Sequence, residues 1–184
     1  MRVFALRPPP RLPGALPARC PSGTSRTVVE GSTIIEHLGL HHPGPVRLSP
    51  ADPRAALDVR MTDRFFDNYV MTPMQKIVGD AIRAPEQRDR RGVAEARTLL
   101  DTAYRWLDET MSGREWAVAD GFSLADCAAA PSLFYADWIH AIGEAFANVR
   151  AYRGRPLARR SFARAVDEAR PYRPLFPLGA PERD

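Results

Sequence analysis

GFSLADCAAAP, residues 121–131, decides the class of fold. Ser123 stands three residues ahead of Asp126, the spacing of a capping box at a helix start. The hydroxyl accepts from the third backbone N–H of the helix, and the carboxylate reaches back to the N–H of the cap residue. Phe122 stands where it can staple onto Cys127. The helix body, LADCAAAPSLFYADW (124–138), is apolar on nearly every face, which predicts a buried central helix. Asp126 therefore reads as a structural cap. Losing such a cap costs about 1 kcal/mol, and more when the carboxylate is buried.

Outward from this helix the apolar period stays near 3.6. Leu57, Met61, Phe65, Tyr69, Pro73 and Ile77 fall on one stripe, with Phe66, Val70 and Met74 beside it. Pro73 is expected to kink or split this long helix. A second helix is expected over 92–111, with Val93, Ala96, Leu100, Ala103, Leu107 and Met111 inward. Two shorter helices are expected near 148–159 and 161–170, the latter with Phe162, Ala165, Val166 and Ala169 on its inner face. No convincing strand comes after Val29. The reading is an all-α bundle over 51–178 with a scrap of β in front.

The front of the chain differs in composition. Residues 1–26 hold six of the 18 prolines and neither helical nor strand periodicity, so an irregular Pro/Arg-rich leader is expected. Pro8, Pro9 and Pro10 forbid the amphipathic helix of a transit peptide, and VFAL is too short for a secretory signal. TVVEGSTIIEHLG (27–39) reads as a short strand, a break at Glu30 and a helix over 33–38 that Gly39 ends. HHPGPVRLSPADP is then a linker.

Charge and composition narrow the function. The net charge of +4 sits at the two ends: residues 1–29 and 150–184 carry +5 each, and 30–149 carry −6. Nucleic-acid binding is not expected from such a distribution. The apolar window at 124–139 contains Asp126, Pro131 and Asp137 and is too short and polar to span a bilayer. Two cysteines without paired spacing leave a reducing cytosol as the expected compartment. His37, His41 and His42 suggest a metal, but Gly39 breaks the expected helix between the first two and no cysteine or carboxylate completes a set, so none is expected. His140 stands alone. Cys20 lies in the leader, and Cys127 reads as packing. There is no G-x-S-x-G and no phosphate loop. Glu30 is the one position with chemical promise. Free N–H groups at a helix start bind anions, and an acid beside them accepts from an ammonium, which together suit the charged end of an amino acid.

The order VVEGSTIIEHL, linker, DRFFDNYVMTPMQKIV, GFSLADCAAAP and RSFARAVDEARPYRPLFP resembles a bacterial cytosolic glutathione S-transferase over about residues 27–178. The resemblance implies a thioredoxin-like remnant at 27–40 and the family's all-α C-terminal domain at 51–178. It implies glutathione as co-substrate, with no other cofactor, and conjugation to a small apolar electrophile. Glu30 would hold the γ-glutamyl end, with Gly31 in the place of the family's serine and Ser32 next to it. Pro17 would take the place of the family's cis-proline. Tyr69, Met71, Met74 and Trp138 would line the electrophile pocket. A homodimer contact through the first helix of the helical domain fits the same resemblance. The residues before Glu30 show no thiol-activating motif, so the resemblance implies an incomplete glutathione site and no nameable catalytic residue. The alternative is a non-catalytic helical module that binds a protein partner or an apolar ligand.

Overall fold

The computed structural model describes residues 16–19, 25–118 and 120–184. The rest of the expected leader, with Pro8–Pro10 and Cys20, lies outside the described residues. The chain divides into two compact units, Met1–Ser49 and Pro50–Asp184.

In the first unit, β1 (Leu16–Arg19) pairs antiparallel with β2 (Ser25–Val28), Leu16 opposite Val28 and Arg19 opposite Ser25. Part of the segment expected to be irregular is therefore a strand, because pairing with β2 supplies the backbone hydrogen bonds that its own sequence pattern does not announce. β2 leads through Glu30 into α1 (Gly31–His41). Gly39 does not end this helix. A glycine inside a helix costs about 1 kcal/mol against alanine but does not forbid the conformation. The stop comes at Pro43, which disfavours helical backbone at His42, and the His42 N–H closes the last turn on the Leu38 carbonyl at 2.7 Å. His37 and His41 consequently share one face, their rings 4.4 Å apart.

The second unit is all helix and turn. α2 (Pro53–Phe65) starts on Asp52, whose side chain accepts from the Ala55 N–H at 2.8 Å, with Pro53 in the first-turn position that suits proline. A π turn over Phe66–Met71 joins it to α3 (Thr72–Ala81). The expected break at Pro73 thus takes the form of a widened turn. Proline has no N–H to give and would clash with the carbonyl four residues back. A π turn relieves both, and Thr72 donates from its backbone and its hydroxyl to the Asp67 carbonyl five residues earlier.

The π turn also shifts the phase of the helix. Leu57, Met61 and Tyr69 of the expected inner stripe are exposed, while Pro73 and Ile77 further along the same stripe are buried. The face that packs inward is Ala56, Val59, Phe66, Val70 and Met74. An extra residue in a turn rotates the downstream helix by about 100°, so a stripe drawn at constant period crosses from the outside to the inside.

α4 (Arg90–Thr110) is capped by Asp89, which accepts from the Gly92 N–H at 2.8 Å. Its expected inner positions Ala96, Leu100, Ala103 and Leu107 are buried, and Met111 is buried just beyond it. α5 (Leu124–Ile139) begins at Ser123 and lies among the π turn, α2, α3 and α6 (Ala147–Ala158). α6 starts against α4, where Asp108 accepts from the Asn148 and Val149 N–H groups at 2.8 and 3.0 Å. α7 (Arg160–Ala169) comes next, then a 3₁₀ turn over Arg170–Leu175. On α7, Val166 is buried, but Ala165 faces solvent rather than the expected core.

Candidate functional site

The capping box of α5 forms as the spacing requires, and it is larger than the spacing alone conveys. Both arms of the box are present, the Ser123 N–H donating to Asp126 Oδ2 at 2.8 Å. The Ser123 hydroxyl donates to the same oxygen at 2.9 Å. Oδ1 accepts the Ala117 N–H at 2.9 Å and the Tyr152 hydroxyl at 2.6 Å. Asp126 is fully buried, so one carboxylate ties together the loop before α5, the start of α5 and the middle of α6. Burial first, and the Asp126 charge second, push the Tyr152 phenol far above its ordinary range, which keeps it a neutral donor. Phe122 meets Trp116 edge-on and carries the Arg159 guanidinium 3.7 Å above its ring.

Cys127, one residue on, is no nucleophile. Burial, helped by the neighbouring Asp126 charge, pushes its thiol up to about 11. Against the ordinary 9.0 this is about a hundredfold less thiolate at pH 8. We expect iodoacetamide at that pH to label Cys127 about a hundredfold more slowly in the folded chain than in urea. Peptide mass spectrometry reads this position separately from Cys20, and equal rates would overturn the burial argument.

Glu30 stands at the start of α1 with φ 72° and ψ 131°, the one non-glycine residue with positive φ among the described residues. A side chain with a Cβ costs about 1–3 kcal/mol there. Glu30 is exposed and makes no capping hydrogen bond from its side chain. Its strain is thus not repaid by capping the helix, and the acid stands beside the first N–H groups of α1, those of Gly31 and Ser32. Pro17 sits in β1 opposite Thr27.

The four residues expected around an electrophile are not brought into one cavity. Met74 is buried in the core and Met71 is half-buried. Tyr69 lines an open groove of about 560 Å³ between the π turn and α4, with Met61, Phe65, Leu99 and Trp106. The Phe65 ring lies tilted against Trp106 at 4.2 Å and against Tyr69 at 5.6 Å. Trp138 lines a different cavity of about 220 Å³, between α5, α7 and the 3₁₀ turn after α7. The sequence pattern missed this separation because it treated the exposed stripe of α2 as core.

His140 is not alone. Its Nε2 is 2.7 Å from Asp101 Oδ1, and its Nδ1 is 3.3 Å from Arg97 Nη1, which also donates to the Ile139 carbonyl at 2.9 Å. The trio pins the end of α5 to α4. Among the described residues no group of three or more histidine, cysteine, aspartate or glutamate side chains is placed to hold a metal ion, and no helix is long and apolar enough to cross a membrane.

The family model for the glutathione S-transferase C-terminal domain matches residues 68–159, half of the chain. This stretch runs from within the π turn through α3, α4, the buried capping box, α5 and α6. Solved glutathione S-transferases share the fold. One from Methylobacillus flagellatus, with glutathione bound, is 23% identical with a TM-score of 0.69, over 79% of this chain and 72% of that one. One from Methylobacterium radiotolerans, in complex with glutathione sulfonate, is 26% identical with a TM-score of 0.63, over 80% and 69%. One from Burkholderia graminis, with two glutathione molecules per subunit, is 20% identical with a TM-score of 0.69, over 83% and 65%. The chain thus spans between about two thirds and three quarters of the length of these structures. No curated protein sequence matches it. The chain belongs to the glutathione S-transferase family, and its helical unit is that family's C-terminal domain.

Proposed function

We propose that this is a glutathione transferase-like protein of the cytosol whose glutathione site is incomplete in this chain. The observation that carries the reading is Glu30, an exposed acid held in a strained conformation at the first N–H groups of α1. Strain of this kind is kept where a side chain must be aimed. Glu30 accepts from the γ-glutamyl ammonium, and the N–H groups of Gly31 and Ser32 take the carboxylate beside it. Gly31 brings no hydroxyl, so the contact is weaker than one with a serine there. In the family reaction the glutathione thiolate forms a C–S bond to an apolar electrophile, and the leaving group departs with its electron pair. No residue is assigned to thiol activation.

Met71, the last residue of the π turn, is half-buried. The exposed groove of Met61, Phe65, Tyr69 and Trp106 serves as the contact with a second copy of the chain. Its chemistry fits that role, with aromatic and methionine side chains enriched and Arg64 at the rim.

Calorimetry with glutathione, together with conjugation of 1-chloro-2,4-dinitrobenzene, tests this on the full chain. Glutathione is expected to bind in the millimolar range, about −4 kcal/mol. Glu30→Gly is expected to abolish that heat while strengthening α1 by about 1 kcal/mol through relief of strain, read by slower amide exchange in the helix. Conjugation is expected to stay near the uncatalysed rate. Turnover at an ordinary enzymatic rate, about 10 per second, would overturn the incomplete site. Binding that survives Glu30→Gly, or no heat at all at about 10 mM glutathione, would remove Glu30 from the reading.

A further inference from the structure

The cavity between α5 and α7 is built unlike the open groove. One wall is Phe134, Tyr135 and Trp138 of α5. The segment after α7 lays Phe176 across it, stacked on Tyr135 at 6.2 Å and edge-on to Trp138 at 5.3 Å. The volume, about 220 Å³, suits a molecule of one or two rings. Arg173 lines the same cavity, its guanidinium carbon 5.3 Å from the centre of the Trp138 ring.

The polar end of the cavity already recognises a carboxylate. Asp184 accepts from Arg173, and from Arg170 at 2.5 Å. Its main-chain oxygen accepts from Arg153 at 3.1 Å, and Arg153 in turn lies over Phe134 at 5.7 Å. Four arginines (Arg153, Arg170, Arg173 and Arg183) here meet three carboxylates (Asp137, Asp167 and Asp184). Removing the Asp184 side-chain charge leaves the Arg173 and Arg170 guanidinium groups in excess of the side-chain carboxylates they pair with. Arginine pairs bind carboxylates of any origin, since the fork geometry reads the anion and not the chain that carries it.

We propose that this cavity binds a planar aromatic carboxylate, its ring against Trp138 and its carboxylate on Arg173, and that Asp184 guards the site by occupying the same guanidinium. A ligand must displace Asp184, so affinity is set by competition between a tethered carboxylate and a free one. This inference is independent of the transferase reading, because it uses neither Glu30 nor glutathione.

Calorimetry of the full chain with 2-naphthoate, and with neutral 2-naphthamide as the comparison, tests it. Asp184→Asn is expected to tighten naphthoate about tenfold, as a freed charged hydrogen-bonding partner would. Naphthamide is expected to bind both proteins alike. In the Asp184→Asn background, Arg173→Gln is expected to cost about tenfold. Ala169→Trp, which fills the cavity from α7, is expected to cancel the gain. An unchanged affinity in Asp184→Asn, an equal gain for the amide, or a gain that survives Ala169→Trp would each overturn the proposal.

Discussion

Asp126→Ala is expected to lower the unfolding free energy of the helical unit by about 4 kcal/mol, much of the stability that an ordinary domain possesses. The cap alone would account for about 1 kcal/mol. The rest comes from the donors left behind. Asp126 takes bonds from the Ala117 and Ser123 N–H groups, the Ser123 hydroxyl and the Tyr152 hydroxyl, all in a buried pocket. Each buried donor without an acceptor costs about 1–3 kcal/mol, and the sum falls short of four full penalties because a small cavity admits water. Tyr152→Phe separates the terms. It removes one donor and leaves the carboxylate with three, so about 1.5 kcal/mol is expected. Urea unfolding monitored by circular dichroism measures both. A loss below about 1.5 kcal/mol for Asp126→Ala would reduce the residue to an ordinary surface cap.

That contrast shows what the sequence can and cannot convey. Ser123 and Asp126 are legible because a capping box is local, and its spacing states its geometry. Tyr152 is 26 residues from Asp126, and no periodicity points from one to the other. The same holds for His140, whose partners Arg97 and Asp101 come from the facing helix. α4 was legible in most of its inner face because it is one uninterrupted helix with a constant apolar period, although Val93 is only half-buried and the fully buried Tyr104 falls off the expected stripe. The helix before it was not, since the π turn at Phe66–Met71 changes the phase midway. Leu57, Met61 and Tyr69 then look like core and lie outside. Of the expected electrophile residues, Tyr69 lines one cavity and Trp138, on α5, another. Glu30 was visible as an acid at a helix start, but its positive φ has no signature in the residue type. Glycine would announce such a position, and glutamate conceals it. Gly39 made the opposite error, since it suggested an end where the helix continues to His41.

The second large effect is expected at Asp137, where the question is whether a buried ion pair stabilises the fold or only fails to harm it. Asp137 Oδ1 accepts the Ile142 N–H at 2.8 Å, and Oδ2 faces Arg153 at 3.2 Å and Arg183. The Asp137 and Arg153 side chains are only 7% and 11% exposed. Burial lowers the Arg153 guanidinium from its ordinary range, and Asp137 is the foremost group that opposes the shift. Asp137→Ala therefore leaves a buried cation without its counter-charge, and a loss of about 3–5 kcal/mol is expected. Arg183 reaches the same oxygen from a half-exposed position, so Arg183→Ala should cost less than about 1 kcal/mol. The informative variant is the double replacement Asp137→Leu with Arg153→Met. It removes both charges and keeps the volume, and it is expected to recover most of the loss, because the desolvation of two ions disappears along with their attraction. A coupling of about 2 kcal/mol or more between the two sites, in the range that contacting residues show in a double-mutant cycle, would be its signature. If the double variant is instead as unstable as Asp137→Ala, the pair is a net contributor, and its hydrogen bond to the Ile142 N–H, which turns the chain out of α5, is the part that cannot be replaced by packing.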